Sequence, residues 1–230
     1  MKSLFLDIDV CRWPKESCVY FFPDCDDWDY PNTAVEYVEK ILNESSISRE
    51  NAIVTLKRAA ERRKAHISSI YNLRKLPSSI TNGGLMEKLN KLNIVKPIMM
   101  KKLHDLRNAV EHAGKPPPTL KACQEISEFV WYFAQSTEHL YWDAKQEIEL
   151  ADDNIEGGLV NIRLDVNSWN FTISGKLHQS YVIQPSSGTA FLSLDCKEIR
   201  SESEWILFDG LVRGTEQAIE ELAIRFFRKY

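Results

Sequence analysis

The strongest constraint on this chain is a change of hydrophobic period across Asp152-Asp153 and Gly157-Gly158. Before it, apolar residues recur every three or four positions; after it, they alternate in short runs. The first pattern lines one side of a helix and the second lines one face of a strand. With 230 residues, 43% of them hydrophobic, the chain has the apolar mass for a substantial core. The expected class is α+β, an antiparallel helical bundle followed by a small antiparallel β-meander domain with a C-terminal helix. Three parts are expected: a strand pair and acidic loop over 1–31, a helical domain over 32–152, and a β-rich domain over 153–230.

Residues 4–10 and 17–22 read as the strand pair, joined through Trp13-Pro14. Asp24, Asp26, Asp27 and Asp29 form the acidic loop, which lacks calcium-loop spacing and reads as solvated. Asn32 is placed to cap a helix with Ala34, Val38 and Ile41 on its apolar side. Ser48 caps a long helix to about Leu76, with a buried stripe of Ile53, Leu56, Ala60, Ile67 and Ile70. Lys57, Arg58, Arg62, Arg63 and Lys64 are expected to cover its remaining surface. A short helix follows the Asn82-Gly83-Gly84 turn, Pro97 opens another, and Thr119 caps a final one to about Leu150. That last helix buries Cys123, Ile126, Phe129, Val130, Phe133 and Leu140; its Trp131 and Tyr132 read as bundle core or dimer contact. The meander strands are 159–166, 169–174, 177–183, 190–199 and 205–212, with Gly175 in a turn, before a helix carrying Ala218, Leu222 and Phe226.

The net charge of -4 hides an asymmetry. From Arg49 to Lys115 there are 15 Lys and Arg against 5 Asp and Glu, a basic middle between acidic flanks. Such a stretch suits a polyanion. The five cysteines lack close C-x-x-C pairs, so neither a zinc site nor a disulfide framework is expected. Free thiols, and the absence of a signal-like or membrane-spanning run, fit a cytoplasmic protein. Asp7-Ile8-Asp9 has no following Gly-Thr and no doubly wound pattern around it, which sets aside phosphohydrolase chemistry.

The chemistry-bearing run is Leu103 to Gly114, where Arg107 and Asn108 precede His112. Arginine and histidine together can cut a phosphodiester without a metal. Imidazole moves the proton, while guanidinium holds the phosphate and its growing charge. Met99, Leu103, Leu106, Val110 and Ala113 form the expected buried stripe of this helix. At 100° per residue, His112 lies about 140° around the axis from Arg107. A regular helix in one subunit therefore cannot bring both to one phosphate. Either a cleft between two copies or fraying near Gly114 would do so.

Arg107, Asn108 and His112, with Leu103-His104-Asp105-Leu106 before them and Ala113-Gly114 after, resemble the HEPN superfamily motif of arginine, a polar residue, variable positions and histidine. The resemblance covers roughly residues 32–150 and implies a small dimeric helical bundle. Many members are metal-independent endoribonucleases of toxin–antitoxin, antiviral-defence or RNA-processing systems, and others are inactive binding modules. By that resemblance Arg107, Asn108 and His112 would be catalytic, with no cofactor and no metal. Gly114 stands where one toxin subgroup has a tyrosine, so regulation through that tyrosine is not implied. Arg62, Lys101, Lys102 and Lys115 are candidate contacts to flanking RNA phosphates. The expected partners are RNA and a second copy of the chain, with the β-rich part available for a protein. The plain structural alternative is an Arg107–Glu111 surface ion pair beside a solvated His112.

Overall fold

The computed structural model describes residues 2–21, 23–24, 26–42, 46–78, 80–95, 101, 105, 118–185, 191–214 and 216–227, without the side chains of 46, 47, 214 and 216. It is a mixed helix-and-sheet structure built on one seven-stranded antiparallel sheet. The strands are β1 (Lys2–Asp7), β2 (Lys15–Tyr20), β3 (Lys145–Ala151), β4 (Leu159–Asp165), β5 (Asn170–His178), β6 (Phe191–Glu202) and β7 (Trp205–Gly214), in the order β1-β6-β7-β5-β4-β3-β2. The helices with described bounds are α1 (Tyr30–Ile41), α2 (Ser46–Ile70), α3 (Leu85–Lys91), α4 (Leu120–Ser136), the single turn α5 (His139–Trp142) and α6 (Glu216–Phe227). Among the described residues no helix is long and apolar enough to cross a membrane.

Alternation gives the sheet one wet and one dry face. Leu4 and Leu194 lie in register, as do Leu194 and Val212, Ile173 and Ile162, and Ile162 and Ile148. All of them are buried. Most of the alternate residues are polar or charged, Phe5 and Leu211 being exceptions, and on that side Arg213 pairs with Asp195 at 3.3 Å. Each one-residue step along a strand switches face, so this pattern fixes the register. Gly175 lies inside β5 and not in a turn. A Cβ there would come within 2.2 Å of the Leu159 carbonyl oxygen, so only glycine lets β4 approach.

The expected N-terminal strand pair does not form. β1 joins β6 at one edge and β2 joins β3 at the other. In a flat sheet those edges would stand about 29 Å apart at the usual strand spacing. The link between them includes a five-residue 3-10 turn, Ile8–Arg12, and spans only about 20 Å. The sheet must therefore be curled. Ile8, Val10, Cys11 and Trp13 of the link are buried, and the 3-10 turn packs against α6.

β7 inserts between β6 and β5, so the C-terminal strands are not a simple meander. The helix expected to reach Leu150 stops at Ser136, where the Thr137 hydroxyl donates to the Phe133 carbonyl at 2.7 Å. Glu147, Ile148, Glu149 and Leu150 alternate in a strand register, and tertiary pairing on both sides overrides their helix-forming composition. The division at 152/153 thus falls within one sheet, and a single buried cluster runs from Leu4 to Phe227.

Other expectations hold. α1, α2 and α4 pack against one another, and Ile53, Leu56, Ala60, Ile67 and Ile70 are buried. Thr119 caps α4, its hydroxyl accepting from the Ala122 amide at 3.1 Å. In α1 the N-cap position falls on Asp29 and not on Asn32, with Pro31 in the first turn. Trp131 and Tyr132 are exposed and so are not core.

Helices and sheet meet at Trp169, in the β4–β5 turn. Its indole N–H donates to the Tyr71 carbonyl at 2.9 Å and to the Asn72 carbonyl at 3.0 Å, just where α2 ends. Asn72 is left-handed (φ 45), the conformation that ends helices and leaves carbonyls to be satisfied. Tyr71 and Trp169 both pack on Phe227 of α6, with ring centroids 4.8 Å and 6.1 Å away. Trp169→Phe keeps an aromatic ring but removes the donor. We expect it to lower the unfolding free energy by about 1–3 kcal/mol in urea titrations.

Candidate functional site

Arg107, Asn108 and His112 lie outside the described residues, as do Lys102 and Lys115, His104, Gly114, the Pro97 helix start and the stripe from Met99 to Ala113. Lys101 is helical and exposed. Arg62 is exposed on α2, where its Nη2 lies 3.1 Å from Asp27 Oδ2 and its guanidinium 4.7 Å from the Tyr30 ring centroid. The acidic loop therefore supplies a counter-ion to a predicted phosphate contact. An exposed pair of this kind is worth about 1 kcal/mol or less, so a phosphate can displace it.

The next residue, Arg63, is fully buried, and Lys64 is nearly so, contrary to the expected solvated face. The reason is in the spacing of α2. Its stripe at 53, 56, 60, 67 and 70 skips one step, and Arg63 stands at that step. The guanidinium lies 3.8 Å from the Trp28 ring centroid, a cation–π contact in a dry setting. Trp28 also stacks with Tyr141 at 4.7 Å and His66 at 6.0 Å. Burial holds the His66 pKa below its ordinary value, and the charges of Arg63 and Arg62 lower it further. Neutral imidazole is the form that suits such a stack. Lys64 keeps its charge partnered through Glu61 at 2.6 Å. Replacing Arg63 with Ala strips a large side chain from the core, and we expect a cost of about 3 kcal/mol in urea unfolding.

A second cluster lies where β2 and β3 pair at the sheet edge. A cleft of about 540 Å³ is lined by Arg12, Lys15, Tyr20, His139, Lys145 and Arg225, with Glu16 and Asp143 as its acids. Lys145 is only 7% exposed. Its pKa is lowered to about 8, chiefly by burial and then by the charge and hydrogen bonding of Lys15, while Cys18 and Asp143 oppose the shift. Arg12 is held by Asp9 at 2.7 Å and lies 3.9 Å from Glu221. Arg225 donates to the Trp13 carbonyl. Nothing in the sequence marked Lys145, because the stretch from Thr119 to about Leu150 read as one helix and Lys145 instead opens a strand. The bulge between Val19 and Tyr20 shifts the local register here.

The described cysteines, Cys11, Cys18, Cys123 and Cys196, are free thiols. Burial pushes the Cys11 thiol up to about 12, which makes it a poor nucleophile. Among the described residues no group of three or more His, Cys, Asp or Glu is placed to hold a metal ion. The chain matches no family model, no curated protein and no solved structure.

The lowered Lys145 pKa has a sign that can be checked. Between pH 8 and 10.5 the unfolded chain keeps a proton that the folded chain has released, so this group makes stability rise with pH across that window. Lys145→Met removes the buried charge. Urea titrations from pH 7 to pH 10.5 should show the variant more stable than wild type at pH 7, with the difference shrinking toward pH 10.5.

Proposed function

We propose that this protein is a metal-independent endoribonuclease of the HEPN type, acting as a cytoplasmic homodimer in a defence, toxin–antitoxin or RNA-processing role. The single observation that carries the reading is the sequence pattern Arg107-Asn108 followed by His112, within the stretch of excess positive charge from Arg49 to Lys115. The mutual packing of α1, α2 and α4 supports it, since the proposed HEPN-like bundle needs helices that flank the motif segment. Tyr37 on α1 and Trp131 and Tyr132 on α4 are large exposed aromatics suited to a second copy.

In this reading the RNA 2′-hydroxyl attacks the adjacent phosphorus and the P–O5′ bond breaks. His112 accepts the 2′-hydroxyl proton, and a proton returns to the departing 5′ oxygen, either from the same imidazole or from its copy in the partner. Arg107 binds the scissile phosphate and stabilises the pentacovalent charge. Asn108 orients the imidazole or a phosphate oxygen. The products are a 2′,3′-cyclic phosphate and a 5′-hydroxyl. Arg62, Lys101, Lys102 and Lys115 contact flanking phosphates, and Arg62 exchanges Asp27 for RNA as it does so.

Labelled RNA incubated with the purified protein in EDTA tests this. Cleavage should persist with the chelator, spare DNA, and fall about a hundredfold or more in His112→Ala and Arg107→Ala. RNA bound but never cut would replace the enzyme with a catalytically inactive binding module. Neither binding nor cleavage would overturn both.

A further inference from the structure

We propose that the cleft between the end of α2, the 3-10 turn Leu73–Lys75 and the start of α3 binds a phosphate dianion, free or carried on a small molecule, held by Arg74 and Lys88. The site shares no residue with the motif from Arg107 to His112, so its fate is separate from that of the ribonuclease reading.

The cleft opens where one helix stops and another starts. Asn72 makes a left-handed turn (φ 45) after α2, the 3-10 turn follows, and α3 packs back against that turn. Ala65, Ser68 and Ser69 of α2 line one side, and Gly83, Gly84 and Lys88 line the other. Lys88 Nζ lies 2.9 Å from the Leu73 carbonyl oxygen, which anchors its ammonium one peptide away from Arg74. An ammonium has three donors, so that bond leaves two for a ligand. Arg74 is exposed, and its guanidinium fork suits two oxygens of one phosphate.

Charge sets the ligand class. The chain carries 33 acidic residues against 29 basic ones, yet none of the described residues lining this cleft is acidic. Glu87, beside Gly83, accepts from the Thr81 hydroxyl at 2.6 Å and does not line it. The polar side chains that do are Ser68, Ser69, Asn72, Arg74 and Lys88, and every one of them can donate a hydrogen bond. Two cations match a phosphate dianion, whose oxygens can accept from both and from a serine hydroxyl. A carboxylate offers one charge and two oxygens. The volume of about 640 Å³ leaves room beyond the ion and falls in the usual range for small-molecule sites. Ala65 and Leu85 give the rest of a ligand an apolar surface.

Gly84 offers a way to close the site without disturbing the fold. Its φ of -65 suits any residue, and a Cβ there would meet no atom within 4 Å. Gly84→Asp adds a negative charge at the cleft, in a helix N-cap position that aspartate favours.

Equilibrium dialysis of the full chain at pH 7.5 is the test, with inorganic phosphate, adenosine 5′-monophosphate and adenosine as probes. Phosphate and the nucleotide should bind, and adenosine should bind at least about tenfold more weakly than the nucleotide. Tighter binding of the nucleotide than of phosphate identifies a phosphorylated organic molecule as the ligand class; equal binding identifies free phosphate. Arg74→Gln and Gly84→Asp should each weaken binding of both anions by about tenfold or more while melting no lower than wild type. Lys88→Gln should weaken it as much, at some cost in stability because the Leu73 carbonyl loses its donor. Failure of phosphate and the nucleotide to bind at millimolar concentration overturns the proposal. So does binding unchanged in both Arg74→Gln and Gly84→Asp, or adenosine binding as tightly as the nucleotide.

Discussion

The indole N–H of Trp169 carries the junction on which this architecture depends. A helix of 25 residues ends with carbonyls pointing past its last turn, and beyond α2 the Tyr71 carbonyl is buried, while the part-buried Asn72 carbonyl also accepts from the Lys75 amide at 2.9 Å. One donor from the β4–β5 turn meets two of these carbonyls. The turn is tied in its own right, since Asp165 accepts from the Asn167 amide at 2.9 Å and from the Ser168 hydroxyl at 2.6 Å. These bonds hold the Asp165 carboxyl below the usual range. Trp169 sits at φ 54, a strained conformation for a bulky residue, and the contacts on both sides of the indole keep it there.

From that junction the rest follows in order. Tyr71 donates its hydroxyl to the Leu140 carbonyl at 3.1 Å, which fixes the chain just before β3. Phe227 meets Tyr71 edge-on and stacks on Trp169, which seats α6; its Ala218, Leu222 and Phe226 are buried, and Phe226 packs on Phe171 of β5. α6 in turn packs on the 3-10 turn that carries the chain between the edges of the curled sheet. The Lys15–Lys145 cleft lies at the end of this chain of contacts, walled by the link, β2 and β3.

The local pattern of the sequence was enough for α2, α4 and most strands, because a stripe or an alternation decides each one alone. It was not enough for β3, whose glutamates and lysine favour a helix until β2 and β4 pair on either side. Nor did it order the strands, since sending β1 and β2 to opposite edges depends on how far a short buried link reaches. Arg63 was legible in hindsight from the gap in the α2 stripe, whereas Lys145 left no such trace. The Arg107, Asn108 and His112 motif was legible only as a pattern of residue types. Its chemistry requires two side chains about 140° apart on a helix to converge, and periodicity alone cannot supply that convergence.

If the Trp169 junction fuses the helices and the sheet into one cooperative body, native-state hydrogen exchange will report a single opening. Amides of α2 from Leu56 to Ile70 and of the central strands β5 and β7 should then exchange with equal free energies and equal denaturant slopes. Sheet amides that stay protected while those of α2 exchange several kcal/mol more easily would contradict the account, because they would mean that the helices open without the sheet.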